Sequence, residues 1–340
     1  MKKILIILLV PLLLLTTSFK AGNTKTSYIV LDSISNRILK GENINEPMLV
    51  ASTAKILTAI TVIENYKLDE EVLIKKEYTL AVGSSVYLKE NSVFTRRELL
   101  YALMLRSAND AASALSDNNS NEFIILMNET AKKIGMRNSI FFNASGLDES
   151  EYNISTAYDM AILASYASKN SIFKNISSAH YYRVIKDDYN YYWYNKHKLV
   201  TNDESFIWGK TGYTKLSKRI LISNYVENNM DLIVVTINDS NDWNSHKKLV
   251  NDLDEYVFYK IFEKGIHEIV LDKKYYLIAS NTISMPILET ELPYIQIEFI
   301  IYNTKALLMV RTSNILIYQT DINLYDKNNI NIDDALEKLF

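Results

Sequence analysis

Ala51-Ser52-Thr53-Ala54-Lys55-Ile56-Leu57-Thr58-Ala59-Ile60 sets a serine three residues before a lysine, at the front of an apolar run. Leu57, Ile60 and Ile63, with Ile56 and Ala59, recur at helical spacing and predict a helix to about Tyr66 with one buried face. Positions three apart share a helix face, about 5–6 Å apart at Cβ. A serine hydroxyl is a weak nucleophile until a base takes its proton. Lys55 can be that base only when neutral, against an ordinary lysine pKa of about 10.4. Burial, or a second cation nearby, would favour the neutral form.

Taken alone, the pair is a weak pattern. Ser171–Lys174 and Ser245–Lys248 repeat it, and a helix serine beside a solvated lysine has the same spelling. Two later stretches give it company: Ser107-Ala108-Asn109 and Lys210-Thr211-Gly212. Ser116-Asp117-Asn118 and Ser168-Lys169-Asn170 compete for the middle place, whereas Lys-Thr-Gly occurs once.

The composition narrows the chemistry. There are no cysteines, which excludes disulfides, thiolate metal sites, cysteine nucleophiles and lipidation at cysteine. His180, His197, His246 and His267 are scattered and fit no metal-ligand spacing. Serine chemistry here therefore needs a base other than histidine, and no metal or cofactor is expected. A net charge of −3 provides no field to draw the protein to nucleic acid. With 48% hydrophobic and 23% charged residues, the 340-residue chain reads as globular, with about two domains.

Met1-Lys2-Lys3 followed by the apolar run Ile4–Leu15 reads as a secretory signal peptide over residues 1–21, cleaved after Ser18 or Ala21. An uncleaved anchor is the alternative. In either case the domain is expected to work outside the cytoplasm, secreted or associated with the cell envelope. Residues 22–265 are assigned to a catalytic domain of helices and strands. It should contain a hairpin around Asp32–Asn36, capping boxes at Thr95 and Thr156, a hairpin from Ile220 to Ile237, and a long helix from Asp242 to Lys264. Residues 266–331 read as a small all-β domain, since strand-like runs such as Ile295–Ile301 follow one another without a helix. Residues 332–340 form a short tail, too short to hold a membrane firmly, so that at most weak membrane association is expected.

The flanking residues carry a resemblance. Ala51–Ala59, Gly83-Ser84-Ser85-Val86-Tyr87-Leu88-Lys89-Glu90, Leu103–Ala111, Gly146-Leu147-Asp148 with Ser155–Ala161, and Gly209–Thr214 resemble the D-alanyl-D-alanine carboxypeptidases of the S11 peptidase family, low-molecular-mass penicillin-binding proteins. The triple motif is the one shared by penicillin-binding proteins and β-lactamases. The likeness spans about Tyr28 to Gly265 and selects Ser107 over Ser116. It implies an α/β (α+β) penicillin-recognising fold with an antiparallel sheet between helices. It further implies removal of the terminal D-alanine from peptidoglycan stem peptides, and covalent inhibition by β-lactam antibiotics. The protein is expected to act as a monomer.

By the same resemblance, Ser52 is the nucleophile, Lys55 the general base, Ser107 a proton relay to the leaving D-alanine, and Asn109 a guide for the peptide amide. Lys210 helps keep Lys55 neutral and, with Thr211, binds the substrate carboxylate. The N–H groups of Ser52 and Tyr213 form the oxyanion hole, and Gly212 admits the substrate to the strand. Two features depart from the pattern. Lys215–Arg219 is unusually basic, which leaves the source of carboxylate-binding charge open, with Arg219 one candidate. Glu149-Ser150-Glu151-Tyr152-Asn153 resembles the deacylation motif of a class A β-lactamase, which is the alternative reading. A non-catalytic peptidoglycan-binding protein is the other, and the intact motifs speak against it.

Overall fold

The computed structural model describes residues 22–148, 152–186, 189–228, 230–270, 274–279, 282–302 and 305–326. The signal-peptide assignment, the Ile332–Phe340 tail and the pair Glu149 and Glu151 lie outside the described residues. The chain enters through an antiparallel hairpin, β1 (Ser27–Asp32) and β2 (Ile38–Glu42), as the turn-rich insert predicts. Asp32 ends β1 buried, its Oδ2 accepting from the backbone N–H (2.7 Å) and the hydroxyl of Ser35. Burial pushes its pKa up to about 6. A two-residue strand, β3 (Met48–Leu49), leads to a 3₁₀ turn over Ala51–Ala54 and then to α1 (Lys55–Asn65). The helix is buried all round from Lys55 to Val62, so its burial exceeds the single face that the apolar spacing predicts.

The helical layer follows. β4 (Glu71–Leu73), α2 (Lys76–Thr79) and β5 (Val93–Thr95) frame a long loop over residues 80–92, with β4 paired to β5. α3 (Arg96–Arg106) opens on the expected capping box: Glu98 N–H donates to Thr95 Oγ1 (3.2 Å), and Thr95 N–H donates to Glu98 Oε2 (2.7 Å). α4 (Asn109–Leu115) and α5 (Asn121–Ile134) come next, the latter closed by Gly135 at φ 101°. β6 (Ile154–Ser155) pairs with β3 and precedes α6 (Ala157–Ser168) and α7 (Ser171–Ser178). At Thr156 only half of the expected box forms. Its hydroxyl caps Asp159 N–H at 3.0 Å, but the Asp159 carboxylate turns away to Asn138 N–H and the Ser139 hydroxyl. A carboxylate one methylene shorter than glutamate finds those nearer donors instead.

A tyrosine-rich hairpin, β7 (Tyr181–Lys186) and β8 (Tyr189–Tyr194), and a short helix, α8 (Lys198–Asn202), return the chain to the sheet. β9 (Phe206–Thr214), β10 (Lys218–Glu227) and β11 (Met230–Ile237) complete an antiparallel sheet of order β2-β1-β11-β10-β9. Its central strands β1, β11 and β10 are buried on both faces, and their alternation sorts two cores. Ile29, Leu31, Ile220, Ile222, Ile233 and Val235 face the helical layer, whereas Val30, Leu221, Leu232 and Val234 face α8 and the helix after β11. That helix, α9 (Asp242–Asn251), covers the second face.

The long helix expected from Asp242 to Lys264 breaks in the middle. After α9 the chain turns at Asp252 and runs on as strand β12 (Tyr256–Phe262). Leu249, Leu253, Val257 and Ile261 do share a four-residue period, but Tyr256-Val257-Phe258-Tyr259 is a β-branched and aromatic run with a strand partner waiting. The strand-rich region therefore begins ten residues or so before Ile266. β13 (Gly265–Val270) and β14 (Lys274–Ala279) follow, then β15 (Ile283–Leu288), which pairs with β12. β16 (Ile295–Tyr302), β17 (Lys305–Thr312) and β18 (Ile315–Asp326) join β13 and β14 in a sheet of order β13-β14-β18-β17-β16. This region is tied to the first hairpin. Arg37 donates to both carboxylate oxygens of Glu291 (2.7 Å each) and to Pro286 O (3.0 Å), and the Tyr256 hydroxyl donates to Leu39 O (2.9 Å).

Candidate active site

Ser52 sits in the 3₁₀ turn and Lys55 begins α1, so the pair spans the change from one helix type to the other. Lys55 Nζ lies 3.1 Å from Ser52 Oγ and 2.7 Å from Asn109 Oδ1, and it also contacts Ser145 O. The last two are carbonyl oxygens, which only accept. They take the two N–H bonds of a neutral amine and leave its lone pair for the Ser52 hydroxyl. Lys55 is wholly buried, and its pKa falls well below the usual lysine value, first through desolvation and then through the charges of Lys210 and Lys196.

The backbone before the serine is strained. Ala51 has φ 43°, a left-handed conformation that costs an L-residue of order 1–3 kcal/mol. Gly146, itself at φ 78°, presses against this turn from outside: a Cβ there would lie 1.8 Å from Ala51 O. Only glycine lets the segment over residues 143–147 close over the turn and bring Ser145 O to Lys55.

The second motif also turns on a left-handed residue. Ser107 caps α3 at φ 58°, which aims its side chain away from the helix and lets α4 start at Asn109. Asn109 is pinned on three sides: its N–H donates to Ser84 O (2.7 Å), Nδ2 to Val82 O (2.6 Å), and Oδ1 accepts from Lys55. The buried Asp110 fastens the same loop, its carboxylate accepting from the Ser85 hydroxyl, Val86 N–H (3.2 Å) and Leu88 N–H (3.1 Å).

The third motif lies on β9, the edge strand of the sheet. Lys210 Nζ donates to Ser107 Oγ (2.8 Å) and Thr211 O (2.9 Å). Burial and then the nearby Lys196 charge lower its pKa to about 7. Thr211 is half-buried and Tyr213 projects into solvent at 64% exposure. The space left by Gly212 is taken by the protein itself: a Cβ there would meet Ala51 Cβ and Thr53 N at 3.3 Å. The missing side chain thus admits the serine-bearing turn to the strand edge, rather than substrate alone as the sequence suggested. Behind the strand, His197 packs where Gly209 has no side chain. Its Nδ1 accepts from Val200 N–H (3.3 Å), and its Nε2 lies 3.2 Å from Ile222 O and 3.1 Å from Ser223 Oγ. Burial holds its pKa down to about 3, so the ring is neutral.

The structure therefore brings Ser52, Lys55 and Asn109 into one hydrogen-bonded group, and Ser107 with Lys210 into another. Arg219 is committed elsewhere. Its guanidinium makes a bidentate pair with Asp242 (3.0 and 2.7 Å) and lies 5.9 Å from the centre of the Trp243 ring. The competing spellings are structural. Ser171 and Lys248 are exposed on α7 and α9, the Ser116 hydroxyl bonds Ala112 O, Asp117 pairs with Lys75, and Ser168 accepts from Trp208 Nε1. Sequence reading assigned no role to Ser145, Asp110 or Lys196. Lys196 Nζ donates to Ser84 Oγ (3.3 Å), and an exposed lysine in a polar run carries no mark that its charge will act on two buried lysines. Among the described residues no group of three or more histidine, aspartate and glutamate side chains is placed to hold a metal ion.

Residues 16–241 match the profile of the S11 peptidases, described as D-alanyl-D-alanine carboxypeptidase. The chain is 29% identical over 262 residues to the D-alanyl-D-alanine carboxypeptidase DacF of Bacillus subtilis, covering 71% of this chain and 67% of the relative. It is 35% identical over 225 residues to the D-alanyl-D-alanine endopeptidase of Haemophilus influenzae, covering 63% and 75%. Among solved structures, a D-alanyl-D-alanine carboxypeptidase from Mycobacterium tuberculosis superposes with a TM-score of 0.64 at 26% identity, over 66% of this chain and 89% of that one. A carboxypeptidase from Francisella tularensis covers 88% of this chain and 94% of its own, with a TM-score of 0.63; at 21% identity it supports the fold alone. With its serine, its buried lysines and its edge strand set in this fold, the chain belongs to the S11 family of serine-type D-alanyl-D-alanine carboxypeptidases.

Proposed function

We propose that Ser52 and its neighbours remove the terminal D-alanine from peptidoglycan stem peptides through an acyl-enzyme. The observation that carries this reading is the Lys55 amine, desolvated and 3.1 Å from Ser52 Oγ, with two carbonyl oxygens to take its N–H bonds. In the first half-reaction the Ser52 proton passes to Lys55 Nζ as Oγ bonds the penultimate D-alanine carbonyl carbon. The resulting oxyanion takes hydrogen bonds from the N–H groups of Ser52 and Tyr213. Ser107, held at 2.8 Å by Lys210, relays the proton taken up by Lys55 to the leaving nitrogen and keeps its own hydroxyl. The C–N bond then breaks and D-alanine departs. Lys210 and Thr211 bind its carboxylate. In the second half-reaction water attacks the acyl carbon and restores Ser52.

The remaining assignments rest on sequence. Residues 1–21 direct export and are removed, so that the enzyme works outside the cytoplasm as a monomer. Residues 22–265 form the catalytic domain, with its last strand contributed to the β region that follows. Incubation with a D-Ala-D-Ala pentapeptide should release D-alanine, and labelled penicillin should attach to Ser52. Label retained by Ser52→Ala, or found at Ser171 or Ser245, removes the site assignment. Rapid penicillin hydrolysis that collapses in Glu149→Gln or Glu151→Gln would instead establish the β-lactamase reading.

A further inference from the structure

The hairpin β7–β8 has an inner and an outer face. Val184, Tyr191 and Trp193 point inward, and the Phe94 ring meets the last two at 5.4 and 6.3 Å. The other parity points out. Tyr181 and Tyr194 stand opposite each other with ring centres 6.0 Å apart, 59% and 60% exposed. Beside them Arg183 lies 5.3 Å from the ring of Tyr192, 48% exposed, and donates to Asn190 Oδ1 (3.0 Å). Solvent-facing rings in register are an unusual use of tyrosine, which normally hides its ring and wets only its hydroxyl.

The outer face runs on into the catalytic cleft. Tyr194 is two residues from Lys196, whose ammonium bonds Ser84, and the Ser84 carbonyl holds Asn109. Arg106, next to Ser107, donates to Tyr194 O (3.2 Å). At the other end of β8, Tyr189, on the inner parity with Tyr191, has Lys89 of the same cleft loop 4.4 Å from its ring, so the hairpin meets that loop from its inner side.

We infer that the outer face of β7–β8 is a docking platform for the glycan strand from which the substrate peptide hangs. This rests on the activity proposed above. A stem peptide whose far end lies at Ser52 carries its sugar at the other end, and about five extended residues span roughly 17 Å. A platform on the cleft wall is within that reach. The chemistry matches: pyranose rings present C–H faces that stack on tyrosine, and their hydroxyl and acetamido groups bond to arginine, asparagine and phenol. The platform holds one aliphatic residue, Ile185, so its apolar surface is aromatic and interspersed with polar groups rather than greasy.

Two substrates with the same pentapeptide test this, one free and one attached to uncrosslinked glycan strands. In the Tyr181→Ser/Tyr192→Ser/Tyr194→Ser variant, KM for the glycan-linked substrate should rise about tenfold. The free peptide and penicillin labelling at Ser52 should change less than twofold. Peptide-free glycan strands should bind wild type and not the variant, a readout that needs no turnover and so survives failure of the catalytic assignment. If the triple variant misfolds, the Tyr194→Ser single variant carries the same comparison. An unchanged preference between the two substrates overturns the inference, as does an equal loss on both. So does binding to vesicles of phosphatidylglycerol that the variant loses while its handling of glycan stays intact.

Discussion

Asn109 Oδ1 lies 2.7 Å from Lys55 Nζ and makes the amide part of the base. A neutral acceptor there tolerates a neutral lysine. Asn109→Asp would put an anion in the same place and raise the Lys55 pKa, since an adjacent opposite charge favours the ammonium. Penicillin acylation at pH 7 should fall on the order of 10²-fold, the scale of a general-base contribution, and recover as pH rises. Stopped-flow acylation across pH would show it. A profile parallel to wild type removes Asn109 from the control of Lys55.

Lys196→Gln should move the whole pH profile to the alkaline side. Lys55 and Lys210 are both held below the ordinary lysine value, first by burial and then by like charge, with Lys196 contributing to each. Removing that charge lets both keep protons to higher pH. The acid limb, where Lys55 loses its proton, shifts up. The alkaline limb, where Lys210 loses its own near pH 7, shifts up with it. A profile that stays in place would show that Lys196 is too well solvated to act.

Gly146→Ala should silence the enzyme while the sheet stays folded. The new methyl would sit 1.8 Å from Ala51 O, and its φ of 78° suits glycine. The clash is with backbone, so the 143–147 segment must lift and take Ser145 O from Lys55. Acylation should drop by at least about 10²-fold, as expected when a catalytic group is misplaced by about 1 Å. Near-normal labelling would mean that the segment yields without moving the site.

Asp32 gives stability an acid-side slope. Its carboxyl pKa rises from 3.8 to about 6 on folding, chiefly through burial. Between those values the folded state holds a proton that the unfolded state lacks, so stability declines as pH rises through the window. The difference amounts to about 3 kcal/mol. Asp32→Asn should flatten that decline in urea titrations between pH 4 and 7. An unaltered slope would remove Asp32 as its source.

Local patterns in the chain were readable where they coincide with tertiary demand. The Thr95 box, the Gly135 stop and the β10–β11 pairing all satisfy backbone groups within a few residues of the signal. The three short motifs were separated from competing spellings by the residues that flank them. What escaped depends on distant partners. A β12–β15 pairing turned an apolar helical period into a strand, and the Ser145 carbonyl has no side-chain signature at all. Gly212 was read as room for substrate, since the 3₁₀ turn that fills it comes from about 160 residues earlier.

The tie between Arg37 and Glu291 sets a stand-off distance. It fastens the C-terminal strands to the β1–β2 hairpin, at one margin of the sheet, while Lys210 and its motif occupy the opposite margin. Four inter-strand steps of about 4.8 Å separate the two, roughly 19 Å across the sheet. The tie of the C-terminal strands and the Lys210 motif therefore sit a full sheet width apart. The sheet thus works as a spacer as well as a scaffold, its width separating the Arg37–Glu291 tie from Lys210.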